Sequence, residues 1–206
     1  MKTWQWFALG GVAWILFRPK SALASSGGSS GSGTVLDVAR GIPNGGTYKI
    51  SGSGVPFEIV HKGKQILPKG DTVYCSGFTF ATAMRAAERR GLLADKSVDQ
   101  VRQFHKDWYG AGSEAEQLSG PALEKLGIGR RVSHEEAIPG DFVQLWRQTS
   151  GHSVVFLGWL LDPTGKKIGL KYRSAQTSTG VGDTQEKFGD SGGSVNRGRT
   201  YFSRLA

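Results

Sequence analysis

The spacing of the apolar residues changes near Pro139, and this change constrains the fold more than any other feature. Before Pro139, apolar residues recur at helical intervals, and Phe80, Met84 and Ala87 share one face of a predicted helix. Ser97 and Gln100 have the spacing of a capping box at the start of a second helix. A third, short helix carries Leu123 and Leu126 and is opened by Pro121 and closed by Gly127. The predicted helices cover residues 76–90, 97–109 and 121–127.

After Pro139 the pattern becomes that of extended strands separated by turns. Strands are predicted over residues 142–147, 152–161, 167–176 and 200–205. Residues 34–71 are broken by Gly and Pro and are predicted to form loops with one or two short strands, while residues 177–199 carry no strand prediction. Helices followed by antiparallel strands indicate an α+β domain.

The first 24 residues have the pattern of an export signal. A basic Lys2 precedes an apolar run over residues 4–17, and Ala22-Leu23-Ala24 is a small-x-small cleavage site. Arg18 and Lys20 lie between the run and that site, which would also suit an uncleaved membrane anchor. Residues 25–33 (SSGGSSGSG) have the composition of a flexible linker, so the expected catalytic domain is 34–206. Either reading predicts a periplasmic or extracellular location, with residues 4–17 as a candidate membrane tether.

The chain is basic, with 26 Lys and Arg against 17 Asp and Glu and a net charge of +9. A basic exported protein is attracted to anionic polymers such as cell-wall material. The basic residues are not concentrated on one helix with interleaved aromatics, so no nucleic acid partner is expected.

Cys75 is the only cysteine among the 206 residues. Exported proteins generally use cysteines in pairs, so an unpaired thiol is either a small buried packing residue or a functional group. Cys75 falls where the extended segment ends and the first predicted helix begins. Backbone N–H groups and the helix dipole stabilise a negative charge there, which lowers the pKa of a thiol and raises its nucleophilic fraction.

A thiolate nucleophile also needs an acid/base partner, and the chain has four histidines. His61 and His134 have polar neighbours and are expected in surface loops, and His105 is expected to be a solvated helix residue. His152 differs because it opens an apolar strand, where it could face the end of a neighbouring helix. A hydrogen-bonded histidine at a strand start, with no catalytic role, is the alternative.

Three short motifs together resemble the NlpC/P60 and CHAP cysteine hydrolases. They are YCSGF at 74–78, PGDFV at 139–143 and GHSVVFLG at 151–158. The resemblance covers about residues 70–205 and implies a papain-like fold, with Cys75 as nucleophile at a helix N-terminus and His152 as base. The chain has Tyr74 where many members of the family have Asp, and Ser153-Val154 where they often have Val-Gly.

The resemblance also implies a third residue on the following strand that orients the imidazole. Gln176 is the first candidate and Ser174 the alternative, since both have the same strand parity and the Gln amide oxygen can accept a hydrogen bond. The backbone N–H of Cys75 would hold the oxyanion, with Tyr74 as a candidate second donor.

GDSGG at 189–193 matches the nucleophile segment of chymotrypsin-like serine proteases. Only 13 residues follow Gly193, too few to complete a second barrel, so the match is interpreted as a mobile Gly- and Ser-rich loop. No cofactor is expected, because the chain lacks metal-ligand spacings and nucleotide-binding fingerprints.

The sequence therefore predicts an exported cysteine hydrolase that cuts amide bonds in peptidoglycan, as an endopeptidase or an amidase. Two alternatives remain open at this point. One is a Cys-His acyltransferase or wall-targeting toxin on the same fold, and the other is a non-catalytic wall-binding module in which Cys75 is simply buried.

Overall fold

The computed structural model describes residues 34–110 and 116–206. The predicted export signal and linker, residues 1–24 and 25–33, lie outside the described residues. No helix in the described part of the chain has the length and apolarity needed to cross a membrane.

Four helices occur among the described residues, and three of them were predicted from their apolar spacing. Ser97 caps one of these helices: its hydroxyl accepts from the Gln100 N–H at 3.2 Å, and the Gln100 side chain accepts from the Ser97 N–H at 2.7 Å. Gly127 ends another in the left-handed conformation, with φ of 72°. The helices are α1 (Val35–Gly41), α2 (Cys75–Arg89), α3 (Val98–Trp108) and α4 (Ser119–Leu126).

The strands form a six-stranded antiparallel sheet and a separate two-stranded sheet. The order in the larger sheet is β3-β8-β4-β5-β6-β7, so the C-terminal strand lies between β3 and β4. The α+β class predicted from the sequence is confirmed. The strands are β1 (Ile59–His61), β2 (Lys64–Leu67), β3 (Gly129–Val132), β4 (Phe142–Trp146), β5 (Gly151–Leu161), β6 (Lys167–Gln176), β7 (Gly180–Lys187) and β8 (Thr200–Leu205).

Three elements were missed by the sequence analysis: α1, β3 and β7. The strand β7 (GVGDTQEK) has almost no apolar alternation, and it is extended because all eight of its residues pair with β6, from Gly180↔Gln176 to Lys187↔Gly169. The helix α1 is only seven residues long, and it is stabilised by Thr34, whose hydroxyl accepts from the Asp37 N–H. Both elements therefore depend on partners that a local apolar pattern does not report.

The core lies on both faces of the large sheet. Helices α2, α3 and α4 pack with one face, where Trp108 meets Phe142 at a ring separation of 5.1 Å and donates from its indole N–H to the Thr79 hydroxyl at 3.2 Å. The other face carries a second apolar cluster in which Phe156 packs against Phe202. Successive side chains of β4 and β5 point to opposite faces of the sheet, so each strand contributes residues to both clusters, as expected for a strand buried on two sides.

The PGD turn is fixed to the C-terminal strand by a buried ion pair. Asp141 is 1% exposed, and its carboxylate accepts from Arg204 Nε at 2.7 Å and from the Ile138 N–H at 2.8 Å. The backbone of the turn pairs with β5, because the N–H groups of Gly140 and Phe156 donate to the carbonyls of Phe156 and Asp141 respectively, each at 2.8 Å. The turn therefore sets the register of β4 against β5, which begins with Gly151-His152.

We expect Arg204→Met to lower the free energy of unfolding by about 3 kcal/mol, because it leaves the Asp141 carboxylate buried without its cationic partner. Arg130 is the matched control, since it is the cross-strand neighbour of Arg204 and its ion pair with Glu136 is half exposed. Arg130→Met should cost less than about 1 kcal/mol. Urea unfolding of both variants measures the difference, and equal losses would contradict the assignment of Asp141–Arg204 as a structural pair.

Candidate active site

Helix α2 begins at Cys75. Tyr74 precedes it in the extended conformation, with φ of −124° and ψ of 169°, and the first backbone hydrogen bond of the helix runs from the Phe78 N–H to the Tyr74 carbonyl at 2.8 Å. No side chain caps this end, and no acidic residue lies in the first turn. The positive end of the helix dipole is therefore not neutralised locally and favours a negative charge at the Cys75 sulfur.

A loop that contains Gly54 packs against the first turn of α2. The Gly54 carbonyl accepts from the Tyr74 N–H at 3.3 Å, and it lies only 2.0 Å from where a Cβ on Gly77 would stand. Only glycine at position 77 permits this approach. The loop and the first turn of α2 thus hold Cys75 in one place.

Strands β5 and β6 are not paired with each other where the N-terminus of α2 contacts the sheet. The ladder between β5 and β6 begins at Val155↔Arg173, so Ser153 is not paired in it. The Ser153 carbonyl accepts instead from the Ser174 hydroxyl at 2.7 Å, while the Ser153 N–H donates to the Cys75 sulfur. The backbone of β5 is thus a direct partner of the thiol.

Cys75 and His152, the two residues predicted to form the catalytic pair, are neighbours in the fold, and the imidazole is close enough to lower the pKa of the thiol. Burial by itself raises the pKa of the Cys75 thiol, and the hydrogen bond and charge of His152, followed by the Ser153 N–H, act in the opposite direction. The opposing effects lower the pKa to about 6 from an ordinary value of 9.0. A large fraction of Cys75 is therefore thiolate at neutral pH, the form that acts as a nucleophile.

Tyr48 is a partner of Cys75 that the sequence analysis missed. Its hydroxyl lies 3.7 Å from the Cys75 sulfur, and it donates when the sulfur is a thiolate. Burial, followed by the negative charge of Cys75, raises the pKa of Tyr48, so its proton is retained. The segment around Tyr48 is tied to the residues just before α2 by a bond from the Val73 N–H to the Thr47 carbonyl at 3.1 Å. No local pattern singles out one tyrosine in a Gly-rich segment.

Tyr74, the candidate oxyanion donor from the sequence, is oriented differently. Its hydroxyl donates to the Gly52 carbonyl at 3.4 Å, and its ring packs edge-on against Tyr109 at 5.9 Å. The hydroxyl of Tyr74 is therefore engaged with the loop, and that of Tyr48 contacts the sulfur.

The candidates for the third residue are both on β6, near His152. Ser174 is fully buried, and its hydroxyl is used by the Ser153 carbonyl. Gln176 ends the strand, and its Nε2 is buried without a hydrogen-bond partner, as is Nε2 of His152. Amide nitrogen and oxygen are interchangeable by rotation of the side-chain end, so the unpaired atom of Gln176 could equally be an acceptor. The orienting role of Gln176 stays a prediction.

Charged and phenolic side chains surround the His152 side of the pair. Tyr172 packs edge-on against the His152 ring at 5.7 Å, and its hydroxyl donates to the Glu186 carboxylate. Arg147 binds the same carboxylate. None of these three residues was identified from the sequence, because two of them lie in or next to strands whose partners set their position, and the third lies in the unpredicted β7.

The remaining histidines are less exposed than the sequence analysis expected. His61 is 8% exposed within β1, where Nε2 bonds the Lys96 carbonyl at 2.9 Å, so its assignment to a surface loop was wrong. His134 is half-buried, with Nε2 2.7 Å from the Thr200 carbonyl. His105 is also half-buried and packs against Phe80 and Tyr109, with burial lowering its pKa. Neighbouring segments bury all three, and none of them is a partner of Cys75.

Ser191, in the GDSGG segment, is the last residue of a short 3-10 helix (Gly189–Ser191), and its hydroxyl donates to the adjacent Asp190 carboxylate at 2.8 Å. Within residues 34–110 and 116–206, no three His, Cys, Asp or Glu side chains are grouped as metal ligands would be.

Comparison of the chain with protein-family models, with curated proteins and with solved structures finds no match. The function is therefore to be inferred from the sequence motifs and from the geometry around Cys75.

The pH dependence of thiol alkylation tests the contact between Cys75 and His152. In the wild-type protein, iodoacetamide should react with a rate that rises through a midpoint near pH 6, the pKa of Cys75. His152→Ala removes the hydrogen bond and charge that lower this pKa and leaves the burial that raises it, so the midpoint should move to about 8.5 or above. Mass spectrometry of the labelled protein gives the rates, and coincident curves would show that His152 does not act on the thiol.

Proposed function

We propose that this chain is a cysteine hydrolase that cuts amide bonds in peptidoglycan through a Cys75–His152 pair. The observation that carries the proposal is the thiol itself: it lies at a helix N-terminus, in contact with an imidazole, with its pKa lowered to about 6. A thiol kept only for packing needs none of these features.

A papain-like fold of the NlpC/P60 or CHAP type is part of the same proposal. Three features support it: a cysteine that opens a helix, a PGD turn before β4, and a histidine at the start of β5. The choice of peptidoglycan rests on the resemblance of these motifs, on the predicted export signal, and on the net charge of +9, which favours an anionic polymer.

The chemistry begins with attack of the Cys75 thiolate on the amide carbon. The Cys75 N–H and the Tyr48 hydroxyl are the donors placed to hold the oxyanion that forms. The His152 imidazolium gives its proton to the leaving amine, and an acyl-enzyme remains. Neutral His152 then takes a proton from water, whose oxygen attacks the acyl carbon, and the acid is released as the thiolate and imidazolium form again.

Two cavities are lined by neighbours of the Cys75–His152 pair, and we propose that they take parts of the substrate away from the cleaved bond. One, of about 480 Å³, is lined by Tyr74, Tyr109 and Lys106 among others. The other, of about 790 Å³, begins at Arg147 and extends to Arg197. Each combines a cation with polar or aromatic walls, which suits a peptide that carries carboxylates.

Digestion of purified peptidoglycan tests the proposal. The wild-type protein should release fragments whose new ends appear in mass spectra, peptide amines for an endopeptidase or lactyl carboxylates for an amidase. Cys75→Ala should abolish release, and His152→Ala should nearly do so, while Ser191→Ala should keep wild-type turnover. Full turnover in Cys75→Ala would refute the proposal. Transfer of the acyl group to another amine would instead identify the acyltransferase alternative.

The two tyrosines next to the thiol provide a matched pair of variants. Tyr48→Phe should lower kcat on the order of 10²-fold, because it removes an oxyanion donor. Tyr74→Phe should leave kcat near wild type, because that hydroxyl bonds the Gly52 carbonyl. Steady-state kinetics on a soluble peptidoglycan fragment measures both, and the reverse ranking would return the oxyanion role to Tyr74.

A further inference from the structure

A partly buried cluster of three side chains, here called the Glu186 cluster, consists of Arg147, Tyr172 and Glu186. Arg147 binds the carboxylate in a bidentate manner, with Nε 2.9 Å from Oε2 and Nη2 on Oε1. The Tyr172 hydroxyl donates to the same Oε1. Only 19% of the Glu186 side chain and 28% of the Arg147 side chain are exposed. The carboxylate is thus held in a fixed position by donors from two other elements.

The cluster adjoins His152 directly. The Tyr172 ring packs against the imidazole with a centroid separation of 5.7 Å and an interplanar angle of 70°. Both residues are buried, with 1% and 7% exposure. One tyrosine therefore touches the imidazole with its ring and Glu186 with its hydroxyl.

We propose that Glu186 is a positioning residue for the Cys75–His152 pair, and that its carboxylate stabilises the imidazolium of His152 across the Tyr172 ring. This inference rests on the proposed function, since an imidazolium is needed to protonate the leaving amine.

The need for such a charge follows from the surroundings of His152. Nε2 of its ring is buried and has no hydrogen-bond partner among the described residues. A protonated imidazole would carry a second N–H donor there, with no acceptor to offset its desolvation. A nearby anion can stabilise that charge through space in a low-dielectric interior, without contact at Nε2.

The titration of Glu186 agrees with this interaction. Burial raises the pKa of the carboxyl, and the hydrogen bonds from Arg147 and Tyr172, together with the charges of Arg147 and His152, lower it by more. The charge of His152 therefore acts on the Glu186 carboxyl through space, as the proposal requires.

The Arg147 guanidinium interacts favourably with the Cys75 thiolate. Burial lowers the pKa of this guanidinium, and the hydrogen bond and charge of Glu186, together with the charge of the Cys75 thiolate, raise it. The anion of the cluster thus favours the imidazolium, and the cation favours the thiolate. The ionisable and charged groups around the Cys75–His152 pair come from every neighbouring element: Tyr48 and Tyr74 from the segments before α2, Tyr109 after α3, Arg147 after β4, Tyr172 from β6 and Glu186 from β7.

If the Arg147–Glu186 ion pair served stability alone, removing it would not change the pH at which His152 titrates. Arg147 and Glu186 connect the β4–β5 hairpin to β7, so loss of the pair could loosen the sheet without changing how His152 titrates. Variants that separate the charge of residue 186 from its shape distinguish the two roles. Glu186→Gln keeps the shape and removes the charge, and Glu186→Asp keeps the charge and shortens the side chain.

The test is the pH titration of the His152 ring by NMR in the Cys75→Ala protein, where no thiolate contributes. The His152 signal is identified by its loss in His152→Ala. Glu186→Gln should move the midpoint to lower pH by about half a unit or more. Glu186→Asp should move it less than Glu186→Gln does, and Arg147→Gln should move it to higher pH, because the carboxylate then acts without its neutralising partner.

Asp183 provides the control. It lies three residues from Glu186 on β7, so its side chain leaves the opposite face of the strand, where it pairs with Arg173. Asp183→Asn removes one negative charge from the same strand and should leave the midpoint unchanged. With Cys75 restored, the alkaline limb of the pH profile of hydrolysis should shift with the NMR midpoint.

An unchanged midpoint in Glu186→Gln, or equal shifts in Glu186→Gln and Asp183→Asn, would overturn the proposal. So would a larger shift in Glu186→Asp than in Glu186→Gln, because the effect would then follow shape instead of charge. These outcomes are read from the NMR titration and are therefore distinguishable from failure of the hydrolase proposal, which fails separately if Cys75→Ala retains full turnover.

Discussion

The contact between the N-terminus of α2 and the first residues of β5 is the interaction on which the candidate site depends. It requires a gap in the sheet, and the gap exists because the β5–β6 ladder begins only at Val155↔Arg173. Ser153, which pairs with Gln144 of β4 but with no residue of β6, then donates its N–H to the Cys75 sulfur and accepts from Ser174 at 2.7 Å. A continuous ladder would have used the same backbone groups within the sheet and left no place for the thiol.

The pKa of the Cys75 thiol results from two opposing effects: burial raises it, and hydrogen bonds and charge from neighbouring groups lower it. Burial is the largest single effect on the pKa of Cys75 and opposes ionisation, but the bond and charge of His152, with smaller effects from Ser153 and Tyr48, outweigh it. The lowered pKa therefore depends on the assembled pair, because the helix end and burial without His152 would leave an ordinary or less acidic thiol. The Glu186 cluster adds two further charges. In our proposal the Glu186 carboxylate favours the His152 imidazolium, and the Arg147 guanidinium favours the Cys75 thiolate.

Neighbours in sequence and neighbours in space differ most clearly for the two tyrosines. Tyr74 is adjacent to Cys75 in the chain, yet the extended backbone before α2 directs its ring toward Tyr109 and its hydroxyl toward Gly52. Tyr48 is 27 residues away and meets the sulfur, because its segment bonds back to the residues that precede the helix. The direction of a side chain at a helix cap depends on the cap geometry and not on chain distance.

The sequence by itself determined the α+β class, helices α2 to α4, the strands that carry apolar alternation, and the placement of Cys75 and His152 where elements begin. These follow from periodicity and capping, which are properties of neighbouring residues. Tertiary structure alone decided that Tyr48 meets the sulfur, that His61 is buried, and that the polar strand β7 brings Glu186 toward His152. Such features depend on strand pairing and on contacts between distant segments, and a polar strand without alternation becomes a strand only when its partner supplies the hydrogen bonds.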